Sequence, residues 1–167
     1  MLKINECGDV TQVVMGREVA GTVYYWTAAY LIDGLLVDTG CAYTADELST
    51  FLQDKTVDCV VNTHHHEDHV GGNLALLKER GEIISAHHLA VPLINSKLPL
   101  REYQELVWGY PEPVHVKEVT GKLETSRYNF EVIDTPGHSP DHIVILEPEQ
   151  GWCFCGDIFV SENQKVL

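Results

Sequence analysis

Short apolar runs, separated by turns that contain glycine, fill the first forty positions of the chain. The runs cover Gln12 to Met15, Val19 to Trp26, Tyr30 to Ile32 and Leu35 to Val37. Asp33 and Gly34 lie between the last two runs, and this dipeptide is a strong signal for a tight hairpin turn. The pattern therefore predicts an antiparallel sheet at the start of the chain.

The apolar spacing changes to a helical period after residue 44. Leu48, Phe51 and Leu52 fall on one helical face, and Thr44 with Glu47 has the spacing of a capping box. Further helices are predicted at Asn73 to Arg80, His87 to Ile94 and Arg101 to Trp108. Further strands are predicted at Val57 to Val61, Glu82 to Ser85, Val114 to Thr120, Asn129 to Asp134, His142 to Leu146 and Trp152 to Cys155. Sheets followed by helices, twice over, favour a layered α/β sandwich, and we expect a single domain over residues 1–167.

Composition and charge argue against several classes of protein. Of the 167 residues, 44% are hydrophobic, yet no apolar run reaches the roughly 18 to 20 residues that span a bilayer. The first residues lack the basic and then apolar pattern of a signal peptide, so we expect a cytoplasmic protein with no membrane partner. The formal net charge of -14 repels phosphate backbones. We therefore expect a small-molecule substrate and no nucleic-acid partner.

The five cysteines are an odd number and are scattered, which predicts reduced thiols instead of a disulfide framework. Cys153 and Cys155 are separated by one residue in a predicted strand, so their side chains share one face. Structural zinc pairs usually have two to four intervening residues. We therefore interpret this pair as small buried residues.

Histidine is the unusual component, because six of the nine histidines lie in two short segments. The first segment directly follows a predicted buried strand and precedes a helix. In an extended stretch His64 and His66 point to one side and His65 to the other, while the turn into the helix brings Asp68 and His69 nearby. Imidazole nitrogen and carboxylate oxygen together suit zinc, iron or manganese. The segment therefore predicts a metal site.

Two later turns offer further ligands of the same kind. The sequence Thr-Pro-Gly-His ends the predicted strand Asn129 to Asp134 and presents His138. The dipeptide Gly-Asp ends the last predicted strand and presents Asp157. The glycine pair Gly71 and Gly72, directly after the histidine segment, permits a close backbone approach there.

These motifs together resemble the metallo-β-lactamase superfamily. The pattern His-x-His-x-Asp-His at 64–69, Thr-Pro-Gly-His at 135–138 and Gly-Asp at 156–157 follow an earlier Val-Asp-Thr-Gly at 37–40, in the order of the family. The resemblance covers essentially the whole chain. It implies an αββα four-layer sandwich, with a metal centre at the edge where both sheets end.

The resemblance also implies a role for each motif residue. One metal ion would be held by His64, His66 and His138. A second ion would be held with the help of Asp68 and His69, while Asp157 would bridge the two. Asp38 would lie beneath and orient ligands, and His142 would support the ligands or be structural instead of binding metal directly. The implied cofactor is zinc, as one or two ions, with iron or manganese as alternatives.

The fifth motif of the family has no counterpart, because no histidine follows His142. We expect the second metal site to lack a ligand. We also expect the last strand to have an apolar edge, which is covered either by a longer chain or by another chain. In the second case the protein would form a homo-oligomer.

The implied activity is that of a metal-dependent hydrolase, similar to the glyoxalase II-like branch of the family. A metal-bound hydroxide would attack a small ester, thioester or lactone. Asp68 would be the catalytic residue that orients the hydroxide and carries its proton to the leaving group. Two alternatives stay open: an iron-dependent sulfur dioxygenase acting on a persulfide, and a non-catalytic metal-binding protein. Metal identity and oxygen uptake distinguish them.

Overall fold

A computed structural model describes residues 1–81 and 83–159 of the chain. The strands are β1 (Leu2–Cys7), β2 (Val10–Met15), β3 (Glu18–Val19), β4 (Thr22–Val23), β5 (Thr27–Ile32), β6 (Leu35–Val37), β7 (Cys59–Asn62), β8 (Ile83–Ala86), β9 (Lys117–Glu118), β10 (Lys122–Glu124), β11 (Asn129–Asp134), β12 (Ile143–Glu147) and β13 (Trp152–Phe154). The α-helices are α1 (Ala45–Leu52), α2 (Glu67–Val70), α3 (Asn73–Arg80), α4 (Val91–Ile94) and α5 (Glu102–Trp108). Short 3-10 helices cover Ala42–Thr44 and Gly156–Ile158. None of the helices in the described residues is long and apolar enough to cross a membrane.

The strands form two main sheets and a small hairpin. The larger sheet has the order β1-β2-β5-β6-β7-β8-β9, and the smaller has the order β10-β11-β12-β13. Strands β6 to β9 pair in parallel, whereas the smaller sheet is antiparallel throughout. Because β6, β7 and β8 are parallel, the loops that follow them lie at the same edge of the larger sheet. That edge carries the candidate site.

Two apolar cores hold the layers together. The first lies between the larger sheet and the helices, and it contains Leu36, Leu48, Leu52 and Leu76. The second lies between the two sheets, and it contains Leu35, Val37, Val61, Phe130 and Ile143. Strand β6 contributes to both cores through alternate residues, as a strand buried on two faces must. The predicted layered sandwich is confirmed, and its layers run helix, sheet, sheet in the described part of the chain.

The predicted hairpin between Tyr30 and Val37 is confirmed. Asp33 and Gly34 have φ angles of +45° and +87°, the left-handed values that a type I′ turn requires at both central positions. The turn places Ile32 opposite Leu35 in the antiparallel pair.

The predicted capping box at α1 is wrong, although the helix itself begins at the expected place. The hydroxyl of Thr44 donates to the carbonyl of Cys41 at 3.1 Å and caps no amide of α1. The reason is the 3-10 turn just before the helix, which places the carbonyl of Cys41 within reach of this hydroxyl.

Other differences follow from weak local patterns. The run Val19 to Trp26 divides into the hairpin of β3 and β4 and a segment outside the strands. Strands β1 and β10 were not predicted, because half or more of the residues in each strand are polar. The predicted strand at Glu82 to Ser85 begins at Ile83 in the structure, and Glu82 lies outside the described residues.

The turn from α2 to α3 lies directly against the loop that follows β6. The amide of Gly71 donates to the carbonyl of Gly40 at 2.8 Å. A Cβ on Gly71 would overlap the backbone of Cys41 and Ala42, and one on Gly72 would lie 2.5 Å from the carbonyl oxygen of Thr39. The glycine pair therefore permits the close backbone approach that its sequence indicated.

Replacing Gly71 with alanine should destabilise the fold by about 3 kcal/mol, because two backbone segments must separate to admit one methyl group. Urea denaturation measures the loss. Gly121→Ala is the matched control, since a Cβ there meets nothing within 4 Å. Equal stability of the two variants would contradict this account of the packing.

Candidate metal centre

Three loops from both sheets converge at one edge of the sandwich. The loop after β7 carries His64 and His66, and the loop between β11 and β12 carries His138. The turn after β13 carries Asp157. Loops at strand ends commonly hold ligands because a rigid sheet fixes where they begin.

The first group of candidate ligands consists of three imidazoles. Nδ1 of His66 lies 3.1 Å from Nε2 of His64 and 2.9 Å from Nε2 of His138. Nitrogens bound tetrahedrally to one zinc ion at about 2.0–2.1 Å are about 3.3 Å apart. The group therefore fits a single cation, and it is the set that the family resemblance implied for the first ion.

The second group combines His64, His69 and Asp157, whose ligand atoms all lie within 4.8 Å of one another. Oδ1 of Asp157 is 3.0 Å from Nε2 of His69, and Oδ2 is 3.5 Å from Nε2 of His138. One carboxylate thus spans both groups, which is the geometry that a bridging ligand needs. Asp68 lies farther out, with Oδ2 at 3.7 Å from Nε2 of His69.

Asp38 lies beneath the candidate ligands and contacts Thr63 and His69. Its carboxylate accepts the amide of Thr63 at 2.7 Å and the hydroxyl of Thr63 at 2.8 Å, and it contacts Nδ1 of His69 at 2.8 Å. A ring that donates from Nδ1 leaves Nε2 free to face the ligand group. Asp38 is buried and has a φ angle of +61°, a strained value for a residue with a side chain. The position implied for it by the family resemblance agrees with these contacts.

The electrostatics differ between the two groups. Burial, together with the neighbouring histidines, lowers the pKa of His64 far below its usual range and that of His66 to about 4. Neutral imidazole is the form that binds a cation. Burial alone would lower the pKa of His69 as well, but Asp38 and Asp157 outweigh it and raise that pKa. Burial and the charge of Asp157 raise the pKa of Asp68. The carboxylates around the second group therefore favour a positive charge on His69.

His65 points away from the ligand groups and is fixed by a residue that sequence analysis missed. Its Nδ1 lies 2.9 and 3.0 Å from the two carboxylate oxygens of Asp141, and its amide donates to Asp141 at 2.9 Å. The Asp141 side chain is 1% exposed. Nothing in the sequence signals this pair, because the two residues are 76 positions apart.

His142 supports the turn that carries Asp157. Its Nε2 accepts the amide of Asp157 at 3.2 Å, and its Nδ1 lies 2.9 Å from the hydroxyl of Thr135. Both ring nitrogens are therefore engaged within the protein. This arrangement agrees with the structural role expected for His142.

A cleft of about 340 Å³ opens beside the second group. Asp68, His69 and Asp157 form one wall, and Trp26 and Tyr30 line it as well. Cys153 and Cys155 also face this cleft, with Cys153 exposed and Cys155 half-buried. The expectation that both cysteines are buried is wrong, because β13 is an edge strand of the smaller sheet in the described residues.

The sequence profile of the metallo-β-lactamase superfamily matches residues 27–167. The chain belongs to this superfamily. The match includes each of the three loops that supply the candidate ligands.

Curated relatives give a narrower comparison. The chain is 30% identical over 142 residues to a hydroxyacylglutathione hydrolase of Legionella pneumophila, covering 83% of this chain and 48% of that protein. It is 36% identical over 129 residues to a hydroxyacylglutathione hydrolase of Psychromonas ingrahamii, covering 76% and 42%. The chain thus spans about half the length of these relatives.

Solved structures agree on the fold. A metallo-β-lactamase from Pontibacter korlensis superposes with a TM-score of 0.66 at 23% identity, covering 90% of this chain and 68% of that one. A subclass B3 metallo-β-lactamase of Bradyrhizobium japonicum gives a TM-score of 0.61 at 26% identity, covering 72% and 50%.

Replacing Asp141 with asparagine should lower stability by about 1–3 kcal/mol at neutral pH, because a buried charge-assisted contact is lost. Burial alone would raise the pKa of Asp141, but His65 outweighs it and lowers that pKa to about 2 from 3.8. A lowered pKa means that the stabilisation is complete above about pH 3.8 and is lost as the pH falls towards 2. Urea denaturation at pH 7 and below pH 3 checks both the size and the direction.

Glu131→Gln serves as the control, because Glu131 is an exposed carboxylate of β11. The double variant Asp141→Asn/His65→Gln should lose less than the sum of the single losses. Strict additivity would show that the two side chains do not act as a pair.

One zinc ion per chain should resist dialysis, and a second should be removed readily. The three-histidine group together with Asp157 offers four ligands, whereas His69, Asp68 and the shared Asp157 offer fewer. Metal analysis before and after dialysis against a weak chelator measures the stoichiometry. His66→Ala should abolish the retained ion, and two equally retained ions would contradict the difference between the groups.

Proposed function

We propose that the chain is a metal-dependent hydrolase that cleaves a thioester of a small thiol. The observation that carries this proposal is the Asp157 carboxylate, which spans two ligand groups at the mouth of an open cleft. The relatives named hydroxyacylglutathione hydrolase support the choice of a thioester over an ester or a lactone.

The donor set fits a borderline metal ion. Imidazole nitrogens dominate the first group, and one carboxylate joins the second, as is typical of zinc, iron and manganese sites. His64, His66, His138 and Asp157 would hold one ion, and Asp68, His69 and Asp157 would contribute to a second. A bound divalent ion supplies a Lewis acid for the substrate carbonyl and lowers the pKa of a water molecule.

The residues around the ion have separate tasks. Asp38 fixes the ring of His69, so that Nε2 stays directed at the site. Asp68 borders both His69 and the cleft, and its raised pKa suits a group that accepts a proton and passes it to a leaving sulfur. Trp26 and Tyr30 offer an apolar surface on which the acyl part of a substrate can lie.

The proposal is tested with protein loaded separately with zinc, iron and manganese. Each form is incubated with a hydroxyacyl thioester of glutathione, and the released thiol is measured against time. We expect release that follows the occupancy of the metal. Oxygen uptake with a persulfide by the iron form would favour the dioxygenase alternative. No release from any fully loaded form would overturn the proposal and favour a metal-binding role.

Replacing Asp68 with asparagine should reduce thioester hydrolysis by roughly 10²-fold, the range expected for loss of a general acid or base. The three-histidine group is untouched, so the retained metal should be unchanged. Asp46→Asn is the control, because Asp46 is an exposed acid in the first turn of α1. Full turnover by the Asp68 variant at unchanged metal content would show that the proton-carrying role is assigned wrongly.

A further inference from the structure

We propose that Cys153 and Cys155 form a reversible disulfide in the wall of the cleft, in exchange with low-molecular-weight disulfides. Closing this disulfide displaces Asp157 and weakens metal binding at the second group. The part concerning the disulfide stands apart from the proposed hydrolase activity, because it rests only on the two thiols and their surroundings.

The two thiols are placed to react with each other. Their sulfur atoms lie 3.4 Å apart, and the thiol of Cys155 also contacts the carbonyl oxygen of Cys153 at 3.4 Å. Both are free cysteines on the cleft, where a small disulfide can reach them. The other three cysteines lie elsewhere: Cys41 is buried, Cys59 is half-buried in β7, and Cys7 is exposed on β1, an edge strand of the other sheet.

Closure requires movement, because a disulfide bond is about 2.05 Å long. The sulfur atoms must therefore approach each other from their present 3.4 Å. Cys153 is paired with Leu146 of β12, which fixes its backbone. Closure of the disulfide therefore moves mainly Cys155, which follows the end of β13.

The turn after Cys155 transmits that adjustment to Asp157. Gly156 lies between them at a φ angle of +49°, and a Cβ there would be 2.6 Å from Nε2 of His142. The amide of Asp157 donates to the same nitrogen at 3.2 Å. The amide of Ile158 donates back to the carbonyl of Cys155 at 3.2 Å. With so little free space around the turn, a shift of Cys155 moves the carboxylate of Asp157.

The exchange balances without any further oxidant. One thiol loses its proton to solvent, and its sulfur attacks one sulfur of the small disulfide, which releases one small thiolate and leaves a mixed disulfide. The second thiol then loses its proton, and its sulfur attacks the protein-bound sulfur of the mixed disulfide. The second small thiolate leaves as the intramolecular bond forms. Two protein thiols are oxidised and one small disulfide is reduced, and excess small thiol reverses both steps.

The test uses the full chain, without added metal, in buffers of oxidised and reduced glutathione at several ratios. After remaining thiols are blocked, trypsin releases a peptide of residues 128–165 that contains Cys153 and Cys155 and no other cysteine. After oxidising buffer we expect this peptide to carry no blocking group and to be two hydrogen atoms lighter than the dithiol, and after reducing buffer to carry two blocking groups. Cys7, in contrast, should carry a glutathione adduct.

Two results would overturn the disulfide. The first is that peptide 128–165 retains two free thiols under conditions that modify Cys7. The second is that the peptide carries a glutathione adduct that never closes. Cys155→Ser should prevent closure, and Cys7→Ser is the matched control that should leave it unchanged.

The coupling to the metal site is tested by zinc titration of the oxidised and reduced forms. We expect roughly 10-fold weaker binding of the second ion after oxidation, the lower end of what loss of a supporting contact causes. The first ion keeps three histidines and should change less. Equal binding of the second ion in both forms would refute the coupling. The Cys155→Ser variant should bind zinc equally in both buffers.

Discussion

The buried carboxylate of Asp38 is the contact on which the site depends. It accepts hydrogen bonds from the backbone amide and the hydroxyl of Thr63, and it contacts Nδ1 of His69. A buried charge costs free energy unless hydrogen bonds compensate it, so these donors have to stay in place. These contacts fix both the start of the loop that carries His64 and His66 and the ring of His69. The left-handed backbone at Asp38 is the strain that this arrangement tolerates.

Both sheets must contribute for the site to exist. The larger sheet supplies His64, His66 and His69, whereas the smaller sheet supplies His138 and Asp157. The core between the sheets, with Leu35 and Phe130 among its members, sets their separation. Asp141 adds a polar connection across the same gap by holding His65.

The two ligand groups have different chemical character. In the first, burial lowers the pKa of His64 and His66 and so favours their neutral form, which suits binding of one ion. The second is surrounded by Asp38, Asp68 and Asp157, and it faces the open cleft. An ion bound there would lie nearer the cleft and its wall than one bound by the first group. The thiols of Cys153 and Cys155 lie in that wall, close in sequence to the shared carboxylate.

The sequence by itself determined the class of fold and indicated the candidate ligands. Hydrophobic spacing is a local property, so the hairpin at Asp33 and Gly34 and the helix from Asn73 to Arg80 could be predicted from neighbouring residues. The motif spacing placed His64 and His66 on one side because the chain is extended there. The structure brings the indicated histidines and Asp157 together but leaves Asp68 farther from them, and the binding of metal by these residues stays a prediction.

Only the tertiary structure decided contacts between residues far apart in the chain. The pairing of His65 with Asp141 leaves no trace in either local sequence, because each residue alone is an ordinary polar residue in a loop. The exposure of Cys153 and Cys155 depends on which strand lies at the edge of the smaller sheet. The alternation of apolar and polar residues along a strand does not reveal the order of strands in a sheet. The hydroxyl of Thr44 donates to the carbonyl of Cys41 and accepts no hydrogen bond from a helix amide. Each outcome reflects competition among partners that only the folded chain brings within reach.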